Sequence, residues 1–525
     1  MAARVFPARA LTIALFALIA LYIALSFNQH GISNDEEVQH VYGRLLLAYY
    51  GSGLTDLSAF GYKNLYLYGG LFDLIAAGVE RLVPMNVWDM RHLLSALFGL
   101  AGMVAVHRLA RERLGEAGGV TAVLLLMLTG AWSGALFTHT KDIPFAACMA
   151  WVTWYVTQLV PRLPGPPVGL VLKLGVAIGC AFGLRVGAVF AVAVLGLTVL
   201  AVSAASGGNW RDRAAHLLHS VRALLPAVPV AIALMALFWP WSVQAPGNLF
   251  KALTTFSHFT FELYTVFDGE VMKIGDVPRG YLPVYLAARL PELALAGLLL
   301  ALPAGLLALR RDPRAWRPWL PVVLAAALPL ALDLATRPTL YNGIRHFTFL
   351  LPPLAVIAAG GLHAAWRAVR PRRALAAGFA ALCLLGCADP LYALARLHPY
   401  GYVNYNHLGG GFRHASGRWE TDYWSDGIRE AAGLLTRHVR NEPHPAGPWK
   451  VAVCAESIQA QAWLGPQFVV TRDWGSADFY LSTTDMDCDN VMRGRVVAQV
   501  VREGVALTVV KDLRHLPPEH RRPLR

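Results

Sequence analysis

The sequence predicts a polytopic α-helical membrane protein that carries a small α/β domain outside the membrane at its C-terminal end. Only 15% of the 525 residues are charged and 56% are hydrophobic, where a soluble chain carries about 25% charged residues. Apolar runs of about 16 to 27 residues recur along the first three quarters of the chain, the length that crosses a bilayer as helix. After Leu391 the composition turns polar, rich in Asp, Arg, His and Gly, with no further apolar run. The net charge of +13 would also suit a nucleic-acid binder. Much of the arginine, however, stands in short clusters between apolar runs, which is the positive-inside pattern of a membrane protein, so nucleic acid is excluded as a partner.

The first run, Ala10–Phe27, is preceded by Arg4 and Arg9 and ends without a small-x-small cleavage site, so it reads as a retained helix. The later runs are Leu93–Leu109, Val120–Phe137, Ile143–Val160, Val168–Gly183, Val186–Ala204, Ala223–Trp239, Pro283–Leu309, Trp319–Ala335, Phe347–Trp366 and Ala374–Leu391, which makes about eleven spans. One further run, Leu65–Val83, carries Asp73 and Glu80 and is crowded at its start by Tyr62, Tyr66 and Tyr68. Arginine clusters stand at 108–113, 211–222, 310–317 and 367–373. All four fall on one side only if Leu65–Val83 lies along the surface, inside a first outer loop of residues 28–90. The transmembrane domain is then 1–392 and the outer domain 393–525. In the latter, Trp449–Cys454, Gln467–Arg472, Asp478–Leu481 and Val496–Val501 read as strands and Ser425–His438 as a helix. Cys148, Cys180, Cys383 and Cys387 lie among apolar helices as packing residues. Cys454 and Cys488, in the tail, would pair if that compartment is oxidising, and their spacing does not decide it.

Three features on the outer side could carry chemistry. Asn34-Asp35-Glu36-Glu37 directly follows the first helix. Consecutive acids at a membrane boundary are costly unless paired or wet, although Asn or Asp before a helix is also an ordinary N-cap. His40 can share the helix face of Glu36. The second feature is His139-Thr140-Lys141-Asp142-Ile143-Pro144, where Pro144 suits the first turn of a helix and Asp142 is either its cap or a functional acid. Two outer carboxylates, Asp35 and Asp142, could act as base and orienting partner or chelate a divalent ion, with His139, Lys141 and His40 as acceptor or supporting groups. The third feature is cationic: Lys63, Arg185 and Arg345-His346. Arg185 interrupts an apolar stretch against the positive-inside trend, which an ion pair with Asp142, snorkelling or phosphate binding would explain. Tyr423 and Trp424 read as interfacial anchors or sugar-stacking residues.

The order of these features is a first helix, Asp-Glu, a long outer loop with an interfacial helix, two helices, then Lys141-Asp142-Ile143-Pro144. It resembles the GT-C superfamily of membrane glycosyltransferases, in particular the branch of protein O-mannosyltransferases and aminoarabinose transferases that uses polyprenyl-phosphate sugars. Arg345-His346-Phe347 and Leu351-Pro352-Pro353 are similar to that family's Arg-aromatic segment opening a late helix. The stretch from His398-Pro399-Tyr400 through Glu420-Thr421-Asp422-Tyr423-Trp424 resembles a block of its bacterial members. The resemblance covers most of residues 1–425. It implies Asp35 as catalytic base with Glu36 beside it, Asp142 as the acid of the second outer loop, and Lys63, Arg185 and Arg345, with His346, at the lipid phosphate. Lys63 departs from the aminoarabinose-transferase pattern, being followed by Asn64-Leu65-Tyr66 rather than Pro-Pro. The resemblance further implies an inverting transfer from a polyprenyl-phosphate sugar to an acceptor hydroxyl on lipid, protein or glycan. It implies no cofactor, with a divalent metal on Asp35 and Asp142 as the open alternative. The protein is expected in the inner membrane with site and C-terminal domain in the periplasm. The alternatives are a transporter or flippase for polyprenyl-linked glycans, which would place charges in mid-membrane and show inverted repeats, and a non-catalytic scaffold.

A topology reporter fused after Arg525 is expected to read periplasmic; a cytoplasmic signal would overturn both the topology and the grouping of Asp35 with Asp142.

Overall fold

The structure, a computed structural model, describes residues 8–257, 263–443, 445–517 and 520–521; Arg4 lies outside the described residues. The chain opens with α1 (Ala8–Ser26) and continues through the first outer segment as α2 (Glu36–Gly51) and α3 (Leu71–Glu80). The ten residues of α3 make roughly 15 Å of helix, half of what a crossing needs, so Leu65–Val83 does not span. This segment rests on the outer ends of two later helices: the Gly70 N–H donates to the Phe238 carbonyl at 2.7 Å and the Leu71 N–H to that of Gly183 at 2.8 Å.

Helix α4 (Val87–Met127) has 41 residues, roughly 60 Å of helix and twice a bilayer. It turns back at Gly115, whose φ of 78° is a conformation glycine adopts without steric cost. The expected run to Phe137 is not one helix. It stops at Met127, and a single turn, α5 (Gly130–Ser133), begins a buried outer cap. There Gly134 lies so close to the 401–402 backbone that a Cβ would stand 1.9 Å from the Tyr402 nitrogen. Then follow α6 (Asp142–Leu159), α7 (Val168–Phe182), α8 (Val189–Ala204), α9 (Trp210–Leu224), α10 (Ala227–Phe238) and α11 (Asn248–Ser257). A hairpin of β1 (Tyr264–Phe267) and β2 (Glu270–Lys273) leads to α12 (Tyr281–Arg289), α13 (Glu292–Arg311), α14 (Leu320–Thr336), α15 (Leu351–Val369) and α16 (Arg373–Leu397). The expected run Pro283–Leu309 is split between α12 and α13, because Leu290 is extended before Pro291. Among the described residues, seven helices are long and apolar enough to cross a membrane. The pair α9 and α10, bent by 42°, makes an eighth, and α7 and α14 are apolar but shorter. Three of the four arginine loops meet: the Arg113 Nε–H donates to the Pro318 carbonyl at 2.9 Å and Arg317 to that of Ala205 at 2.5 Å.

The C-terminal part comprises α17 (Gly411–Ala415), α18 (Ile428–His438), β3 (Trp449–Cys454), α19 (Ser457–Gln461), β4 (Phe468–Val470), β5 (Phe479–Thr483), β6 (Arg495–Arg502) and β7 (Val505–Asp512). Its sheet runs β4-β3-β5-β7-β6, parallel between β3 and its two neighbours and antiparallel beyond. Strand β7 was not expected from the sequence, yet it joins the parallel half of the sheet to β6. A disulfide links Cys454 to Cys488. The two cores interlock in the linking segment: Tyr405, Ala415 and Trp419 pack with the helical block, while Leu397, Tyr400 and Tyr402 pack with the sheet domain.

Two buried charge networks hold this outer half together. In the first, the Arg91 Nη2–H donates to Asp73 at 3.0 Å while its Nε stands 3.8 Å from Glu36. The other Glu36 oxygen takes the Ser33 N–H at 2.9 Å and lies 3.1 Å from His92 Nε2. This ties α2 and α3 to α4. Glu36→Ala leaves Arg91 buried beside a lost partner, so it is expected to cost about 3–5 kcal/mol, read as a large drop in thermal midpoint in detergent. An unchanged midpoint would contradict the network.

In the second network, Asp422 accepts the Tyr402 hydroxyl, the Asp426 N–H at 2.9 Å and the Gly427 N–H at 3.0 Å. Burial pushes its carboxyl up to about 7, against those hydrogen bonds, and pushes Glu420, Asp426 and Asp485 in the same direction. A raised carboxyl contributes stability that is full below its unfolded value near 4 and is lost as pH rises through about 7. The stability of Asp422→Asn relative to wild type is therefore expected to rise from about pH 5 to pH 8; a difference independent of pH would contradict this.

Candidate active site

Four outer segments bring alternating charges into one ladder. Asp35 precedes α2 as its N-cap residue but makes no side-chain capping bond. Its Oδ2 instead accepts from Arg345 Nη2 at 3.0 Å. The Arg345 Nε stands 4.0 Å from Asp142 Oδ2, and the other Asp142 oxygen accepts from Arg185 Nη2. Asp142 opens α6 and Lys141 holds its N-cap position, so neither carboxylate is spent on its helix end. The ladder is graded in exposure: Asp142 is 4% exposed and Arg345 8%, while Asp35 at 44% reaches solvent.

Aromatic rings carry the cations. The Arg345 guanidinium lies 4.2 Å from the Trp424 ring centre and 5.3 Å from that of Tyr341. Tyr68 faces Lys141 at 4.4 Å and Arg185 at 5.9 Å, and burial pushes its hydroxyl above the usual range. Burial also brings Lys141 down to about 8, opposed by the nearby Asp73. The Thr140 hydroxyl donates to Gln39 at 2.6 Å, fastening the second outer loop to α2.

His139 positions this group from behind. Its Nε2 accepts the Trp424 indole N–H at 2.8 Å, and the Tyr423 hydroxyl lies at the same distance. Nδ1 therefore holds the ring proton, 3.3 Å from the Thr138 hydroxyl. Burial and the Arg345 charge hold His139 well below the ordinary histidine value, so the ring is neutral. Tyr423 and Trp424, at 9% and 3% exposure, are neither interfacial anchors nor open sugar platforms. Trp424 joins the C-terminal segment to His139 and covers Arg345.

The structure thus joins Asp35, Asp142, Arg185 and Arg345, with Lys141 and His139 against them. It separates the rest. Glu36 is fully buried and serves Arg91 and His92, so it is closed to a substrate. His40 packs on Trp88, with its Nδ1 3.8 Å from Glu80; burial and Arg91 bring it down to about 4. Lys63 is exposed, its Nζ 5.9 Å from the Tyr62 ring, and makes no ion pair among the described residues. The His346 ring packs on Tyr341 with centroids 4.7 Å apart. The sequence does not single out Tyr68 or Tyr341; the tyrosines crowding residues 62–68 are its signal, and in sequence they suit an interfacial position equally well. As for a metal, Asp35 and Asp142 each hold a guanidinium and form no group of three ligands. Among the described residues such a group exists only at Glu292, Asp389 and His407.

Residues 71–232 match the family model described as dolichyl-phosphate-mannose-protein mannosyltransferase. No curated protein matches the chain in sequence. The fold is similar to that of ArnT from Cupriavidus metallidurans in the apo state, with a TM-score of 0.52 and 17% identity over 96% of this chain and 98% of that one. It is similar to ArnT bound to undecaprenyl phosphate, with a TM-score of 0.50 and 16% identity over 95% and 97%. It is also similar to the apo oligosaccharyltransferase of Archaeoglobus fulgidus, with a TM-score of 0.52 and 11% identity over 91% and 70%. The chain thus shares the fold of these solved structures, and residues 71–232 match the mannosyltransferase family model.

Proposed function

We propose that this protein is an integral-membrane glycosyltransferase that moves a sugar from a polyprenyl-phosphate donor to an acceptor hydroxyl on the periplasmic face of the inner membrane. The observation that carries the proposal is the solvent-reaching Asp35 carboxylate, bonded to an Arg345 that is itself backed by Asp142 and Arg185. Such a transfer needs a base for the hydroxyl proton and fixed cations for the departing phosphate. Both are present within one ladder at the ends of the helices, where a lipid headgroup arrives.

In the free enzyme Arg345 occupies Asp35. A lipid phosphate offers the guanidinium a better anion in bidentate geometry, which releases Asp35. The acceptor hydroxyl then attacks the anomeric carbon from the side opposite the phosphate. As the new C–O bond forms, its proton passes to Asp35. The anomeric C–O bond to phosphate breaks, and its electron pair leaves with the polyprenyl phosphate, held by Arg345 and Arg185. The displacement inverts the anomeric centre. Two guanidinium groups do here what a metal would do elsewhere, so the transfer is independent of divalent ions. The description of the family model matched by residues 71–232 and the undecaprenyl phosphate bound by ArnT support a polyprenyl-phosphate donor. The arginine loops gathered on the opposite face support the sidedness.

The test is sugar release from a panel of labelled polyprenyl-phosphate donors by the purified chain. Wild type is expected to turn over one donor, unaffected by chelator, and Asp35→Asn to lose about a hundred- to ten-thousandfold in turnover with its thermal midpoint retained. Full activity in Asp35→Asn would remove it as base and favour a scaffold or transporter.

A further inference from the structure

A pocket lies at the other end of the bundle from Asp35, separated from it by the nineteen residues of α1, roughly 28 Å of helix. It opens where the start of α1 meets the Gly115 turn of α4 and the inner end of α6, with a volume of about 320 Å³. Arg9, Arg108 and Arg111 line it. So do two carboxylates, but these are committed: Glu112 accepts the Trp154 indole N–H at 2.8 Å and the Gln158 amide. Glu116 accepts the Thr12 hydroxyl at 2.8 Å and lies 3.7 Å from Arg111. Arg9 and Arg108 have no carboxylate within ion-pair distance among the described residues. The Arg108 guanidinium is held 5.4 and 5.2 Å from the ring centres of Trp151 and Trp154. Those rings stand with Tyr155 in one partly exposed aromatic cluster, the kind of cluster that marks headgroup level in a bilayer.

We infer that this pocket binds the phosphate of an anionic phospholipid. Two guanidinium forks with no carboxylate paired to them match a phosphate. Ile13 and Val104 in the same wall offer apolar contact that a glycerolipid uses and a free phosphate ion does not. The indoles hold Arg108 in place, so little side-chain freedom is lost on binding. The site is separate from the proposed transfer site and does not depend on that reading.

The test is native mass spectrometry of the full chain with phosphatidylglycerol, phosphatidylcholine and inorganic phosphate as probes. Wild type is expected to retain phosphatidylglycerol over phosphatidylcholine, without displacement by millimolar phosphate. The double variant Arg9→Gln with Arg108→Gln should retain about 25-fold less, and Arg9→Gln alone about fivefold less. Arg9 is exposed, so if the double variant is unstable the single one decides. Undiminished retention in the variants, equal retention of phosphatidylcholine, or complete displacement by phosphate would each overturn the proposal; the last would assign the pocket to a free anion.

Discussion

Arg345 stands between Asp35 and Asp142, and the outer half of the molecule is arranged around that position. A guanidinium buried at the end of a membrane bundle is tolerated only where carboxylates meet it with good geometry. The ladder that meets it draws Asp35 from the first outer loop, Asp142 from the second, Arg185 from the α7–α8 turn and Arg345 from the segment before α15. These four arrive at one level only if the helices between them have matching lengths and directions. The ladder is also the boundary between a dry interior and a wet surface, with Asp142 on the dry side and Asp35 on the wet one. A group that exchanges a proton with a substrate has to stand on the wet side.

The C-terminal domain belongs to this site. Trp424 covers the Arg345 guanidinium and donates to His139, while the Asn34 amide donates to the Tyr423 carbonyl at 3.0 Å. The contact is close at the backbone as well: a Cβ on Gly31 would lie 2.4 Å from the Asp426 carbonyl oxygen. Residues 423–426 therefore pack against the helix ends directly beside Asp35. Burial raises the carboxyls of Glu420, Asp422 and Asp426 in this segment, so the junction is expected to weaken as pH rises.

Much of this was legible in the chain. Apolar length, arginine clusters and the polar tail predict the helical block and the appended sheet, and the outer-side argument brings Asp35, Asp142, Arg185 and Arg345 together before any coordinates. What was not legible depends on direction. Asp35 and Glu36 are adjacent acids of equal standing in sequence, yet the start of α2 aims one at Arg345 and the other into the Arg91 and His92 network. Lys63 lies in the same loop as Asp35 but stays exposed beside Tyr62. The aromatic rings were visible as interfacial residues, and only the packing turns Tyr68, Tyr341 and Trp424 toward cations. The split at Leu290 and the turn at Gly115 are single-residue backbone events inside apolar runs, where hydropathy does not register them.

On the proposed function, Asp35 and the lipid phosphate compete for Arg345. The most direct measurement is the affinity of the purified chain for a polyprenyl phosphate in wild type, Asp35→Asn and Arg345→Gln. Competition predicts that Asp35→Asn binds as tightly as wild type or more tightly, and that Arg345→Gln loses at least tenfold, about the worth of one charge-assisted hydrogen bond. Weakened binding in Asp35→Asn, or undiminished binding in Arg345→Gln, would contradict the account.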